Sequence, residues 1–339
     1  MRAVLMERGK LWVDQIPAPT PQQGEVLVRT AACGICGSDL HAAQHTEAFV
    51  ETSREAGGAF KLTTFDPVVL GHEFAAEVVD YGPGTSQRLP IGTLVTSVPM
   101  LLREPATPLG YTVEAPGGFS EYMVLCERLV LPVPGDLPAT HAAFTEPMAV
   151  ALHAVRKARL QGNEAIIVQG CGPVGLAVIT ALRAQGAGPV IAADFSPGRR
   201  ALAAIQGAHQ VVDPATESPF GAAAARNRDD TTIFECVGVP GMLDAQCAGA
   251  PPNAQIIVVG VCLQSDSFRP LIAINKELRL QFVLGYSLEE FKDTLHGIAD
   301  GRFQIEPLIT DTVALEGVAD AFTRLANPQA QGKVLVLPN

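Results

Sequence analysis

The feature that most restricts this chain is a continuous run over residues 165–186: AIIVQ, then GCGPVG, then LAVITALRAQG. A short apolar strand pattern passes through G-x-G-x-x-G straight into helical spacing, the arrangement of a βαβ unit in a parallel sheet. Each position has a physical use. Gly170 allows the tight turn, and Gly172 lets a pyrophosphate come up to the backbone. Pro173 and Val174 open the helix, whose first free N–H groups and positive dipole end attract an anion. Gly175 lets helix and strand pack closely. The next apolar run, PVIAAD, ends at Asp194, 19 residues after Gly175. A carboxylate there accepts the two ribose hydroxyls of NAD and repels the 2′-phosphate of NADP. Arg199 and Arg200 follow, either softening that preference or standing on a surface helix.

The rest of the chain divides around this unit. Up to about residue 145, short strand patterns are separated by turns: GEVLVRTAA (24–32), VVLGHEFAAEVVDYG (68–82, enough for a strand pair), LVTSVPM and GGFSEYMVL. Between them, HAAQHTEAFVETSREAGGAF (41–60) carries small and charged residues that suit a short helix and an exposed loop. From Glu146-Pro147, EPMAVALHAVRKARL takes helical spacing. Strand runs then alternate with helical ones as far as LRLQFVLG (278–285), as in a parallel sheet covered by helices. Two amphipathic helices, LEEFKDTLHGIADG and LEGVADAFTRLA, lead to a last strand, KVLVLP. The expectation is a two-domain α/β chain. Residues 1–148 and 286–339 form a β-rich domain, and 149–285 form an inserted, doubly wound parallel-sheet domain.

Composition narrows the partners. With 339 residues, 47% of them hydrophobic, the chain can bury two cores, but its net charge is −11. Nucleic-acid phosphates require clustered Lys and Arg, so a small molecule is the expected ligand. MRAVLMER has Glu7 and Arg8 where a secretion signal needs an apolar run, and no stretch approaches the roughly 18 apolar residues of a membrane span. Cysteines stand at 33, 36, 126, 171, 236, 247 and 262, odd in number and mostly scattered. That pattern fits free thiols or metal ligands in a reducing, cytoplasmic setting better than a disulfide framework.

The close pair lies in CGICGSDLH, residues 33–41. A redox C-x-x-C is disfavoured because it follows a β run, and a four-cysteine zinc knuckle lacks its second pair. A catalytic zinc needs three protein ligands and an open position, hence a His and another donor from elsewhere. GHEF supplies His72 and Glu73, and FTEP supplies Glu146 where the two halves meet. Each has a plain alternative: a satisfied core histidine, or a carboxylate in a first helical turn.

GICGSDLH, GHEFAAEVV, GGFSEY, TEPMAVALHAV, GCGPVG, the Asp194 ending and EPLIT (306–310) occur in order over nearly the whole chain. In this the chain resembles the zinc-dependent medium-chain dehydrogenase/reductase family, close to its sorbitol and butanediol dehydrogenase branch. The resemblance implies a GroES-like catalytic domain, an inserted Rossmann domain, and oxidation of a secondary alcohol, diol or polyol by NAD. It also implies a homodimer or homotetramer. It makes Cys36, rather than Cys33, a zinc ligand and His72 the second. Glu146 becomes the third ligand or holds a metal-bound water, and Glu73 can exchange onto the metal. Asp39 would orient His72, as metal-bound imidazoles usually require. Lys333 would either reach the cofactor phosphates from the returning tail or stand on the surface.

Two departures from the family pattern follow. Its structural zinc lobe carries four close cysteines, yet SVPMLLREPATPLGYTVEA (97–115) has none, so one catalytic zinc and no structural zinc is expected. The connection from Cys36 to His72 is also long, and its excess over 42–65 is either a lid or an inert loop. In the expected chemistry, zinc lowers the pKa of the alcohol, Ser38 takes its proton, and His41 passes it toward solvent. His41 and His45 could share a helix face, but no separate metal site is expected there, because no acidic partner follows at useful spacing. Cys33, His153 and Cys171 are expected to pack. The rivals are a zinc-free NADPH-dependent reductase, opposed by Asp194 and the three ligands, and a non-catalytic NAD- or metal-binding protein, opposed by the hydroxyl relay.

Overall fold

The computed structural model describes residues 1–58, 60–222, 230–326 and 332–338. Ala59, in the 42–65 segment, and Gln331, ahead of the last strand, lie outside them. Six strands, Ala165–Gln169, Val190–Ala193, Gln210–Val212, Thr231–Glu235, Gln255–Val258 and Arg279–Phe282, form one sheet in which every pairing is parallel. Counted along the chain, their lateral order is third, second, first, fourth, fifth, sixth. The order reverses beside Ala165–Gln169, where the glycine turn leaves the sheet. Open α/β sheets bind their ligands at such a reversal.

The strands are apolar on both faces because helices cover both faces. Ile166, Val168, Val190, Ala192, Phe234 and Ile257 face one core, which they share with helices Thr145–Ala158 and Pro173–Ala184. Ala165, Ile167, Ile191, Ile233 and Ile256 face the other, together with Cys247 of helix Met242–Gly249.

The second large sheet has seven strands. Ile309–Val313, Lys333–Val336, Glu25–Gly34, Glu73–Tyr81, Leu94–Ser97 and Val130–Pro132 lie side by side, and Tyr122–Cys126 also pairs with Glu25–Gly34. The tail thus returns to the first half, as Lys333–Val336 packs against Glu25–Gly34. The return starts later than residue 286. Helix Leu288–Ala299 lies on helix Thr145–Ala158, and Ile298, Phe303, Ile305 and Leu308 enter the parallel-sheet core. His153, expected to pack, instead meets Glu290 at 2.8 Å across this helix pair.

Two local readings change. The 68–82 stretch is one strand, Glu73–Tyr81, because Val69, Leu70 and Gly71 give their carbonyls to the N–H groups of Gly117, Phe119 and Gly118. In the 42–65 segment, helix Gly37–Gln44 is followed by a second helix, Thr46–Glu55, with Phe49 buried beneath it. A buried aromatic holds this segment onto the domain, which is why it is more than exposed loop.

Candidate active site

The cofactor turn has the geometry its glycines imply. Gly170 sits at φ +86°, in the left-handed region that favours glycine, and its N–H donates to Ala193 O at 2.9 Å. A Cβ on Gly175 would lie 1.8 Å from Gly170 O, so only glycine lets the helix come this close. Gly172 is the N-cap, without a side-chain cap, and Pro173 and Val174 begin the helix, leaving its first N–H groups available to an anion. Asp194 closes the neighbouring strand. One of its oxygens accepts from Cys171 N at 2.8 Å and the other from Ser196 N at 2.7 Å, fixing the carboxylate beside the turn. Arg199 Nη1 lies 4.0 Å from Asp194, and the guanidinium borders the space above Gly172. Arg200 turns away to the carbonyl of Asp194 and to Asp213.

Cys36, His72 and Glu73 meet where two central strands of the second sheet end, Glu25–Gly34 and Glu73–Tyr81, with one donor atom of each within 4.8 Å of the others. The pairing of Gly34 with Glu73 sets the two segments side by side. Gly71, at φ +101°, makes the bend before His72, where a Cβ would strike Phe119 and the Cys33 sulfur. A thiol, an imidazole and a carboxylate are a zinc donor set, and bonds of about 2.0–2.3 Å need only a modest contraction of this grouping. Cys33 is fully buried behind it.

Asp39 is buried. Its Oδ2 accepts the Cys36 N–H at 2.9 Å and pins the start of helix Gly37–Gln44. Its Oδ1 stands 3.4 Å from His72 Nδ1, an ionic contact without a formed hydrogen bond. Burial alone would lower the His72 pKa, but the Asp39 charge and Cys36 outweigh it and hold it well above the usual range.

Lys333 departs from both of its expected roles. It is 2% exposed, and its Nζ contacts both Glu73 oxygens at 2.7 Å and Ile35 O at 3.1 Å. Burial would lower its pKa, yet Glu73 and Cys36 raise it, so the ammonium neutralises a carboxylate at the metal corner. Glu146 lies just outside the Cys36–His72–Glu73 grouping, on the first turn of its helix. Burial, with Glu73 adding, pushes its carboxyl up to about 7 against the pull of His72, Tyr286 and Lys333.

Two tyrosines escaped the sequence reading. Tyr286, just before helix Leu288–Ala299, acts on Glu146 and helps to lower its carboxyl pKa. Tyr111 comes from the cysteine-free segment, donates to Ser38 Oγ at 2.8 Å and lies 3.2 Å from His72 Nδ1. Ser38 Oγ in turn is 3.4 Å from His72 Nε2. His41 is half-buried, three residues on along the same helix, and burial followed by nearby His45 lowers its pKa. The segment carrying Tyr111 is held by Arg103, which grips Glu25 with two hydrogen bonds at 2.7 and 3.1 Å.

Comparison with known proteins agrees with this geometry. The alcohol dehydrogenase GroES-like domain family matches residues 22–135, and the zinc-binding dehydrogenase family matches residues 173–300. The chain is 32% identical to (R,R)-butanediol dehydrogenase of Bacillus subtilis (strain 168), over 96% of each. It is 27% identical to sorbitol dehydrogenase of the same strain, over 99% of this chain and 97% of that one. The crystal structure of 2R,3R-butanediol dehydrogenase from Bacillus subtilis superposes with a TM-score of 0.84 at 30% identity, covering 100% of this chain and 99% of that one. The chain belongs to the zinc-dependent medium-chain alcohol dehydrogenase family, on its sorbitol and butanediol dehydrogenase branch.

Proposed function

We propose that this protein oxidises a secondary alcohol, vicinal diol or polyol to a ketone with NAD, using one zinc per chain. The convergence of Cys36, His72 and Glu73 carries this reading. Cys36 and His72 would hold the ion, with Glu73 or Glu146 as the third protein donor. When bound, zinc supplies a Lewis acid that favours the deprotonated alcohol, and NAD supplies the hydride acceptor. The protein's own residues do the rest. The 170–175 turn and Asp194 seat the dinucleotide. Ser38 takes the alcohol proton as its own proton leaves, and His41, kept largely unprotonated at neutral pH by its lowered pKa, accepts that one and releases it to solvent.

A single zinc is supported by the segment 97–115, where Arg103 and Glu25 hold the chain without cysteines. Free thiols support a reducing, cytoplasmic setting; among the described residues no helix is long and apolar enough to cross a membrane. A homodimer through the edge strand Arg279–Phe282 is supported by exposed Leu271, Ile274, Phe282 and Leu284 around it. The deciding experiment screens alcohols, diols and sugars for reduction of NAD against NADP, with and without a chelator, alongside zinc analysis. Chelator-sensitive NAD reduction at one zinc per chain is expected. No turnover with any alcohol would return the protein to a binding role, and two tightly held zincs per chain would overturn the single-zinc reading.

A further inference from the structure

We propose that Tyr111 is a positioning residue for Ser38, fixing the hydroxyl that takes the substrate proton; this rests on the dehydrogenase reading above. A serine oxygen has two lone pairs and one proton. With one lone pair occupied by the Tyr111 hydroxyl at 2.8 Å, the second is left for the incoming proton, and the serine's own proton is free to leave. Without the Tyr111 bond, the partly buried serine hydroxyl keeps only its longer 3.4 Å contact with His72 Nε2 and rotates among staggered wells, so that only a fraction of molecules present the accepting lone pair. The serine is neutral before and after the transfer, and the displaced proton leaves toward His41, which follows on the same helix.

Tyr111 is itself held from three sides. Its ring centroid lies 4.4 Å from Phe60 and 5.6 Å from Phe49, and those two rings stack at 5.0 Å. Its carbonyl accepts from Lys61 N at 3.1 Å. The preceding Gly110 leaves no room over Gly71, since a Cβ there would stand 3.1 Å from Gly71 N and O. The long 42–65 segment and the cysteine-free 97–115 segment therefore act together: one braces the tyrosine that the other presents. A tyrosine serving only as core filler would send its hydroxyl to backbone or solvent. Here both neighbours of the hydroxyl, Ser38 and His72, are site side chains.

The test is a double-mutant cycle of Tyr111→Phe and Ser38→Ala. Phenylalanine keeps the ring and its packing. Loss of one neutral hydrogen bond should lower kcat about five- to tenfold, with KM for the alcohol and zinc content unchanged. In the Ser38→Ala background, Tyr111→Phe should cost nothing further, because its effect runs through the serine. Unchanged kcat, equal losses in both backgrounds, or a loss of zinc would each overturn the proposal. The same four proteins, unfolded by denaturant without metal, should show a favourable coupling between the two side chains. Absence of that coupling overturns the proposal even if no alcohol is turned over. Coupling present in a protein that oxidises no alcohol would sink the dehydrogenase reading instead.

Discussion

At the cofactor turn the working groups are backbone atoms of one contiguous stretch, Gly170–Gly175, assisted by Asp194. The corner around Cys36 is assembled from side chains at positions 36, 39, 72, 73, 111, 146 and 333. A turn made of backbone fails when atoms are added, whereas a corner made of charges fails when one charge is removed. The two regions should therefore respond to opposite kinds of substitution, and each should survive damage to the other.

The largest effect is expected from Cys36→Ala. Loss of one zinc donor removes several kcal/mol of charge stabilisation, so turnover should fall by about three orders of magnitude or more. NADH affinity, followed by fluorescence titration, should stay within about twofold, since the turn makes no use of the thiol. A parallel collapse of NADH binding would show that the two regions are not separable.

Next comes Lys333→Met. Glu73 is 1% exposed, and removing its counter-ion strands a buried carboxylate, at a cost of about 3–5 kcal/mol. The loss should be smaller in zinc-loaded protein than in metal-free protein, because the ion offers Glu73 another positive partner. Equal losses in both, measured by chemical denaturation, would mean that Glu73 never faces the metal.

Gly175→Ala should cost less, about 1–3 kcal/mol of stability, because a methyl group cannot occupy a site 1.8 Å from Gly170 O without pushing the helix back. NADH affinity should weaken by about tenfold while zinc content holds, as the helix start moves away from the phosphates. Undiminished NADH affinity would show that this close approach does not shape the cofactor site.

The same contrast explains what could be read in the sequence. A strand–turn–helix unit is local, so its glycines, its next strand and Asp194 are all visible in 30 consecutive residues, and the parallel sheet follows from repeating the pattern. The candidate metal donors were legible only through motifs kept in family order, because nothing in ICGSDLH alone says that GHEF lies beside it. Their partners were harder still. Lys333 opens KVLV, all four residues of which are buried. A lysine in such a strand demands a buried carboxylate, but the sequence does not say that it is Glu73. Tyr111 sits among glycines and prolines with no periodicity to give its direction, and the brace of Phe49 and Phe60 exists only in three dimensions.

The smallest effect concerns the layer that joins the two regions, helix Leu288–Ala299 on helix Thr145–Ala158. Glu290 caps its own helix through Ser287 N at 2.8 Å and meets His153 of the other helix at 2.8 Å. Burial would raise its pKa, but the Ser287 backbone, His153 and the Ser287 hydroxyl together bring it below the usual carboxylate range. A depressed folded value means that the unfolded chain takes up the proton first as pH falls. The contribution is therefore complete above the ordinary value of 4.5 and is lost as pH drops through the lower folded value. Glu290→Gln should destabilise the protein at pH 7 by about 1 kcal/mol, the scale of a cap and one charge-assisted hydrogen bond. The gap between variant and wild type, followed by thermal unfolding against pH, should close below pH 4.5. Zinc content and NADH affinity should not move, because Glu290 touches neither the turn nor the corner. A gap that persisted at low pH would assign the loss to the packing of the helix pair and not to the carboxylate charge.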